Sequence, residues 1–189
     1  LERRHLDQYC TAQGLLGAHP DRDVPGIEAA TGSLGHGMAM GAGMAQAARI
    51  LGEDSVTYVL LSDGELQEGS SWEAMMVAAN LRLDNLVAII DLNDMQSMDR
   101  TSESHPAFYP VADKAAAFGW EVVTACGHNA EALHAAVSGR RGTAPLMVVT
   151  ETVKGRGVSF MEHVPIWHYR APSPSEYEEA LAGLVEIDR

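Results

Sequence analysis

An alternation of short apolar runs with amphipathic segments predicts an α/β fold for this 189-residue chain. The predicted strands are the apolar runs at 56–61, 86–90, 121–124 and 146–152. The first run is rich in β-branched and apolar residues and lacks period-two alternation, as expected of a strand with both faces covered. We therefore predict a doubly wound, mostly parallel sheet with helices on both faces.

Helical patterns fill much of the sequence between these strands. We predict helices over residues 1–18, 34–51, 71–81, 112–118, 129–140 and 175–187. Ser70 or Ser71 should cap the third helix, with Glu73 in its first turn, and Asn129 should cap the fifth. The remaining long segments, 93–110 and 153–174, are predicted to be irregular loops.

The second predicted helix contains four glycines between residues 34 and 51. A glycine in a helix interior costs about 1 kcal/mol relative to alanine. Such residues persist where a neighbouring backbone or a ligand needs the space. We therefore expect a buried helix that begins beside a bound ligand.

Composition indicates one ordinary domain, assigned to residues 1–189 with a closing helix over 175–189. The formal net charge of −13 argues against nucleic acid as a partner, because an acidic surface repels phosphate backbones. Cys10 and Cys126 are too few for a disulfide framework and fit a reducing cytoplasm, with a single bridge as the alternative. No charge-free apolar stretch reaches about 18 residues, so we expect no transmembrane helix, and no signal peptide is evident.

An acid and an amide follow two predicted strands. Asp63 comes after the run 56–61, and Asn93 comes after the run 86–90. Ligands of open α/β sheets collect at the carboxyl ends of the strands. Mg²⁺ takes oxygen ligands and usually shares them with substrate phosphates. Asp63, Asn93 and a carbonyl just beyond Asn93 therefore form a candidate metal site that leaves positions for a diphosphate and water.

Several sequence blocks around this pair resemble the transketolase family. Asp63-Gly64 followed by Asn93 resembles the motif that holds thiamine diphosphate. The other matching blocks are His19-Pro20, Pro25-Gly26, Thr31–Gly37, 63–74, 83–86, 91–93, 154–158, 167–168 and 171–172. The match runs in order along nearly the whole chain, which is far more specific than one acid–amide pair.

The resemblance implies a role for each matching residue. Mg²⁺, or Ca²⁺ or Mn²⁺ in its place, is implied on the side chains of Asp63 and Asn93 and the main-chain carbonyl of Met95. Thiamine diphosphate is implied to contact Gly32, Ser33, Leu34, Asp63, Gly64, Glu65, Asn93 and His168. The implied catalytic residues are His19 and His168, which would hold substrate groups and move protons, and Glu68 and Glu73, which would relay protons at a domain interface.

Simpler roles are open for several of these residues. Asp63 could cap the following helix, Asn93 could be a turn residue, and Leu34 could be an ordinary core side chain. Glu68 and Glu73 could be solvated surface charges. The chain also departs from the family pattern in having Ser62 and Tyr169 where transketolases carry glycine.

The resemblance implies a subunit of a thiamine-diphosphate-dependent transketolase that transfers a two-carbon ketol unit to an aldose or other acceptor. A partner with the pyrimidine-binding domain would complete the site, in an α₂β₂ assembly in the cytoplasm. The alternatives are a carrier protein as acceptor, the α-subunit of a 2-oxoacid dehydrogenase, and a non-catalytic binding subunit. The family also implies an N-terminal helical segment ahead of Leu1 with a Gly-His element, which we expect to be truncated, disordered or encoded separately.

Overall fold

The computed structural model describes residues 1–97 and 99–187, with side chains up to residue 184. The strands are β1 (Thr57–Ser62), β2 (Leu86–Leu92), β3 (Met95–Gln96), β4 (Asp99–Arg100), β5 (Glu121–Cys126) and β6 (Leu146–Glu151). Four of them form one parallel sheet in the order β1-β2-β6-β5, whereas β3 and β4 pair as a small antiparallel hairpin. The predicted α/β class with a parallel sheet is confirmed.

Helices lie on both faces of this sheet. They are α1 (Arg4–Asp7), α2 (Gly37–Leu51), α3 (Gly69–Asn80), α4 (Thr101–Ser104), α5 (Val111–Ala117), α6 (Ala130–Ser138) and α7 (Pro174–Ile187). One hydrophobic cluster joins α2, α3 and α5 to the sheet and includes Met75 and Val111. The other lies on the opposite face, where Ala136 of α6 packs with Val87 and Leu146. The sheet is thus doubly wound.

The prediction of a helix over residues 1–18 is wrong. Only Arg4–Asp7 is helical there, and none of its side chains is buried. Cys10 then takes a positive φ of 57°, and its N–H bonds the carbonyl of Leu16 at 2.9 Å. A short helix gains most of its stability from packing an apolar face, so this segment has too little support to continue.

The N-terminus of α3 also differs from the prediction. The helix begins at Gly69, and Glu68 at the N-cap position makes no side-chain capping bond. Ser70 and Ser71 therefore lie in the first turn, and Glu73 lies beyond it. Ser70 instead donates a tertiary hydrogen bond to the carbonyl of Gly35, at 2.9 Å. At α6 the predicted cap is confirmed, because the Asn129 side chain accepts the backbone N–H of Ala132, the third residue of the helix.

Burial along β1 and α2 is one-sided in this chain. β1 is an edge strand, and Tyr58 and Leu60 on its open face are 55% and 72% exposed. The last two residues of α2, Ile50 and Leu51, are 74% and 71% exposed. The expectation of full cover on β1 is therefore wrong here. The predicted helix at α2 is buried on one face only, through Met38, Gly41, Ala42, Ala45 and Ala48. The predicted loop 93–110 contains the β3–β4 hairpin and α4. Positions 188 and 189 of the predicted closing helix lie outside the described residues.

None of the helices in the described part of the chain is long and apolar enough to cross a bilayer. Cys10 and Cys126 are both free and exposed.

Two glycines of α2 give a matched test of its packing. A Cβ on Gly41 would lie 2.2 Å from a methyl of Val59, whereas a Cβ on Gly43 would meet nothing within 4 Å. We expect Gly41→Ala to lower the free energy of unfolding by about 1–3 kcal/mol through overpacking. Gly43→Ala should raise it by about 0.5–1 kcal/mol. Urea denaturation of both variants measures this, and equal effects would contradict the packing of α2 on β1.

Candidate active site

Three neighbouring strands of the sheet end at one edge of the molecule. Asp63 follows β1, Asn93 lies just beyond β2, and Thr152 follows β6. The Asp63 N–H donates to the carbonyl of Asp91 on β2, and the Thr152 N–H donates to the carbonyl of Leu92, both at 3.2 Å. Parallel pairing therefore brings residues far apart in sequence to the carboxyl edge of the sheet, where α/β proteins bind ligands.

The Asp63 carboxylate is fully buried and only half satisfied. Its Oδ1 accepts the N–H of Gly64 at 2.9 Å. Its Oδ2 is buried and has no hydrogen-bond partner in the described chain. Burial raises the pKa of Asp63 to about 6 against the opposing effect of the backbone N–H groups of Gly64 and Asp94, and the negative charges of Asp91 and Asp94 raise it slightly further. A carboxylate oxygen without a partner in such a place is what a bound cation would satisfy.

Asn93 presents its amide in one defined orientation. Its Oδ1 accepts the N–H of Met95 at 2.9 Å, and its Nδ2 donates to Oδ2 of Asp91 at 3.2 Å. The carbonyl oxygen keeps a second lone pair for a ligand. Within the described residues, no three His, Cys, Asp or Glu side chains form a metal cluster. The residues present therefore fit a hard cation held by mixed oxygens and completed by a phosphate ligand.

A cavity of about 560 Å³ lies between the segment 27–37, α2 and β1. Gly32, Ser33, Leu34 and Glu65 are among the residues that line it. Leu34 is 55% exposed, so it is not part of the hydrophobic core of the described chain. This cavity brings together four of the residues predicted to contact a cofactor.

Gly35 joins this cavity wall to the residues that follow β1. Its N–H donates to Oε1 of Glu65 at 3.0 Å, and its carbonyl accepts from Ser70. Its φ is +81°, and a Cβ there would lie 2.7 Å from Cβ of Glu68. Glycine is therefore required at position 35, and the cavity wall is tied to the start of α3.

The two predicted histidines have different surroundings. His19 packs directly on Gly32, where an added Cβ would lie 2.5 Å from the imidazole Cδ2. The structure thus places His19 beside the cavity wall. His168 is exposed at the end of a 3₁₀ turn over Pro165–His168. Among the described residues, no hydrogen bond joins His168 to the residues around Asp63.

The segment that carries His168 is clamped by aromatic and ionic contacts. The indole Nε1 of Trp167 donates to the carbonyl of Phe160 at 3.0 Å. The Arg170 guanidinium lies 4.2 Å from the centre of the Trp167 ring and bonds both carboxylate oxygens of Glu176 at 2.6 and 2.7 Å. Hydrogen bonds from the Ser173 N–H and from Arg170 lower the pKa of Glu176 to about 2. These contacts set the position of the exposed imidazole.

Glu68 and Glu73 are both exposed in this chain. Glu68 lies against Gly35, and Glu73 lies on α3. Both carboxylates are available to a surface that would pack on the start of α3.

Gly64 is not explained by packing within this chain. A Cβ there would lie 3.6 Å from Cβ of Gln96, which is an ordinary contact, and φ is −60°. Ser62, which replaces the usual glycine of the motif, accepts the N–H of Glu65 at 3.0 Å through its hydroxyl. The open space at Gly64 suits the close approach of a ligand to the backbone.

Three supporting residues were not predicted from the sequence: Asp91, Asp94 and Thr152. Asp91 belongs to the matching block 91–93, but the resemblance gives it no role. Thr152 contacts Asp91 across 61 residues and Asp94 contacts Tyr109 across 15, which no local pattern signals.

Asp94 anchors the loop that carries the candidate metal ligands. It has a φ of 61°, and its carboxylate accepts from the N–H and hydroxyl of Ser102 at 2.8 Å and from Tyr109 at 2.9 Å. Burial acts to raise the pKa of Asp94, but hydrogen bonds from Ser102, Tyr109 and Arg100 outweigh it and lower the pKa. Burial and the bond to Asp94 raise the pKa of Tyr109.

The buried Asp63 gives a prediction for the metal-free protein. The folded-state pKa of about 6 lies above the ordinary value of 3.8. Ionisation of Asp63 therefore destabilises the fold progressively as pH rises from about 4 to about 6, and the destabilisation is complete above that range and absent below about pH 4. Relative to Asp63→Asn, wild-type stability should therefore fall by about 2 kcal/mol as pH rises from about 4 to about 7. Chemical denaturation across this range measures the difference. A pH-independent difference would contradict the assignment.

Comparison with known proteins identifies relatives of this chain. A family model described as the thiamine diphosphate binding domain of transketolase matches residues 1–168. One of the subunits of apulose-4-phosphate transketolase from Phocaeicola vulgatus is 42% identical over 98% of this chain and 66% of its own length. A 6-deoxy-6-sulfo-D-fructose transketolase subunit from a Clostridium species is 38% identical over 95% of this chain and 66% of its own length.

The fold agrees with these sequence matches. A crystal structure of transketolase from Campylobacter jejuni superposes with a TM-score of 0.85 and 26% identity, over 96% of this chain and 30% of that protein. The chain thus spans just under two thirds of the two curated relatives named above and a smaller part of a full transketolase. Because the family model matches residues 1–168 and the fold superposes on that of a solved transketolase, the chain belongs to the transketolase family, to its thiamine-diphosphate-binding domain.

Proposed function

We propose that this chain is the diphosphate-binding subunit of a thiamine-diphosphate- and Mg²⁺-dependent transketolase. The enzyme would transfer a two-carbon ketol unit from a ketose donor to an aldose or other acceptor. The observation that carries the proposal is the buried Asp63 carboxylate at the carboxyl edge of the sheet, whose Oδ2 has no hydrogen-bond partner in the described chain. Asn93 follows the neighbouring strand at the same edge. A family match alone would not distinguish a working cofactor site from a decayed one.

The residues that would hold the metal and cofactor belong to two segments. Asp63, Asn93 and the carbonyl of Met95 would bind Mg²⁺, which offsets the acidic net charge of −13 where a diphosphate binds. The other cofactor contacts would come from Gly32, Ser33, Leu34, Gly64, Glu65 and His168. Thiamine diphosphate supplies the carbanion chemistry of ketol transfer, and the protein supplies binding, orientation and proton movement.

The ionisable side chains would handle protons and substrate groups. His19, packed on the cavity wall at Gly32, would bind a donor hydroxyl or phosphate, and His168 would approach from the clamped segment. An imidazole can exchange protons near neutral pH, which suits both positions to general acid–base work. Glu68 and Glu73 would meet a second diphosphate domain at an interface and relay protons between paired sites. Their exposure in the single chain supports this role.

A partner carrying the pyrimidine-binding domain would complete each active site, in an α₂β₂ assembly in the cytoplasm. Two relatives are named as individual subunits of a transketolase, which supports a divided enzyme. Their names specify apulose-4-phosphate, and that of a third specifies 6-deoxy-6-sulfo-D-fructose. All three names describe ketoses with an anionic group, so we assign the donor to that class.

Cofactor uptake tests the site directly. We expect Asp63→Ala combined with Asn93→Ala to weaken binding of thiamine diphosphate with Mg²⁺ by more than about 100-fold, since two of the three metal ligands are lost. Isothermal titration calorimetry of the chain with its partner present measures the affinity. Unchanged uptake by the double variant would overturn the metal site, and no uptake by the wild type would favour a non-catalytic binding protein.

Gly64 provides a more selective test. Gly64→Ala should leave stability equal or raise it by about 0.4–1 kcal/mol, because the chain has room for the methyl group. The same change should weaken cofactor binding by about tenfold or more if the diphosphate approaches this backbone. Gly43→Ala on the open side of α2 is the matched control and should leave the affinity as it is. If the wild type, Gly64→Ala and Gly43→Ala bound the cofactor with equal affinity, the diphosphate would not approach the backbone at Gly64.

The divided active site predicts a requirement for the partner. The purified chain should show no ketol transfer from a ketose phosphate, and addition of a pyrimidine-domain subunit should restore it. A coupled assay of aldose product measures the rate, with Asp63→Ala in the same mixture as the inactive control. Turnover by the single chain would contradict the arrangement.

A further inference from the structure

Asp91 lies two residues before Asn93, at the end of β2, and it makes contacts that the proposed chemistry does not use. Its Oδ2 accepts the amide N–H of Asn93 at 3.2 Å, and its Oδ1 accepts the hydroxyl of Thr152 beyond β6. Its backbone carbonyl accepts the N–H of Asp63. Asp91 is half-buried. Through these three hydrogen bonds it contacts the ends of β1, β2 and β6.

The orientation of Asn93 matters because a carboxamide has two unlike ends. Its oxygen can bind a hard cation, whereas its NH₂ group has donors and would be repelled by one. Rotation by 180° about the last side-chain bond exchanges these ends at little steric cost. An amide that binds a metal through its oxygen therefore needs neighbours that favour the oxygen on one side and the NH₂ group on the other.

Asp91 supplies this distinction. As a carboxylate it only accepts hydrogen bonds, so it selects the NH₂ end of Asn93. The Thr152 hydroxyl occupies its other oxygen and fixes the direction of the carboxylate. The N–H of Met95 selects the oxygen end from the other side, at 2.9 Å. A flipped Asn93 amide would lose both hydrogen bonds and would place its NH₂ group against the N–H of Met95.

We propose that Asp91 is a positioning residue that holds the Asn93 carboxamide with its oxygen toward the metal, while making no metal bond itself. This inference rests on the metal site proposed above. Hydrogen bonds to ligating side chains in metal sites typically change metal affinity by about 10–100-fold when removed. We expect a loss toward the lower end of that range, because the bond from Met95 remains.

Charge alone is the competing explanation. A carboxylate near a cation attracts it, so Asp91→Ala would weaken binding even without any effect on the amide. The two explanations differ when Asn93 is replaced by aspartate. A carboxylate has two equivalent oxygens and needs no orienting neighbour, so its metal bond should not depend on Asp91. An attraction by charge would still depend on it.

The experiment is a double-variant cycle at positions 91 and 93, measured on the chain with its pyrimidine-domain partner present and with saturating thiamine diphosphate. Mn²⁺ binding is followed by electron paramagnetic resonance of the free ion, so the readout does not need turnover. We expect Asp91→Ala, which removes the acceptor of the Asn93 N–H, to weaken Mn²⁺ binding by about tenfold in the wild-type background. In the Asn93→Asp background the same change should have no effect or should tighten binding, because it also removes repulsion between two carboxylates.

A tenfold loss of the same size in both backgrounds would overturn the orienting role, as would an undiminished affinity of Asp91→Ala alone. A wild-type complex of the chain with its partner that binds no Mn²⁺ with thiamine diphosphate would overturn the metal site itself, so the two failures are distinct. Thr152→Val is the second variant, because it removes the hydroxyl at nearly constant volume. It should weaken Mn²⁺ binding about two- to tenfold without loss of fold by circular dichroism, and an unchanged affinity would count against the proposal.

Discussion

The buried carboxylate of Asp63 imposes a constraint that the rest of the site accommodates. Parallel strands bring their carboxyl ends to one edge, and the chain places an acid there with one oxygen satisfied by Gly64 and one without a hydrogen-bond partner among the described residues. Leaving a buried acceptor unpaired costs about 1–3 kcal/mol, and more for a charged group. The fold thus carries a local destabilisation, which a cation at the proposed metal site would remove.

The surrounding contacts keep this edge in shape before any ligand arrives. Gly35 is held by Glu65 on one side and Ser70 on the other, so the glycine-rich segment cannot drift from the end of β1. Asp94 does the same for the loop after β2 through its bonds to the α4 segment. All of these are polar contacts. Those of Gly35 join residues 30 and 35 positions apart, whereas Asp94 and Ser102 are eight positions apart. They limit how far the binding segments must reorganise, which lowers the entropic cost of binding.

The extent to which sequence predicted this structure follows from the kind of contact involved. The apolar runs predicted every long strand, and their ends predicted Asp63 and Asn93, because both signals are local. The cap at Asn129 was also local and is confirmed. Ser70 was misassigned because its hydroxyl bonds Gly35, a contact across 35 residues. The prediction of a helix over residues 1–18 is wrong because the helical residues Arg4–Asp7 bury no side chain in the described chain.

The open face of β1 shows a second limit on what the sequence alone can predict. The apolar run predicted cover on both faces, yet Tyr58 and Leu60 are exposed in this chain. Hydropathy can indicate that a residue is covered, but it does not identify which chain covers it. The same holds for Glu68 and Glu73, whose proposed role depends on a surface that this chain does not contain.

The stacking of Arg170 on Trp167 has a practical consequence for spectroscopy. Trp120 is buried with its indole bonded to the carbonyl of Met75, and Trp72 bonds the carbonyl of Leu66, so both are fixed within the α3–α5 side of the fold. Trp167, adjacent to His168, has the surroundings that a ligand reaching that imidazole would disturb. Indole emission then reports on this segment without an attached dye, and a Trp167→Phe protein supplies the blank.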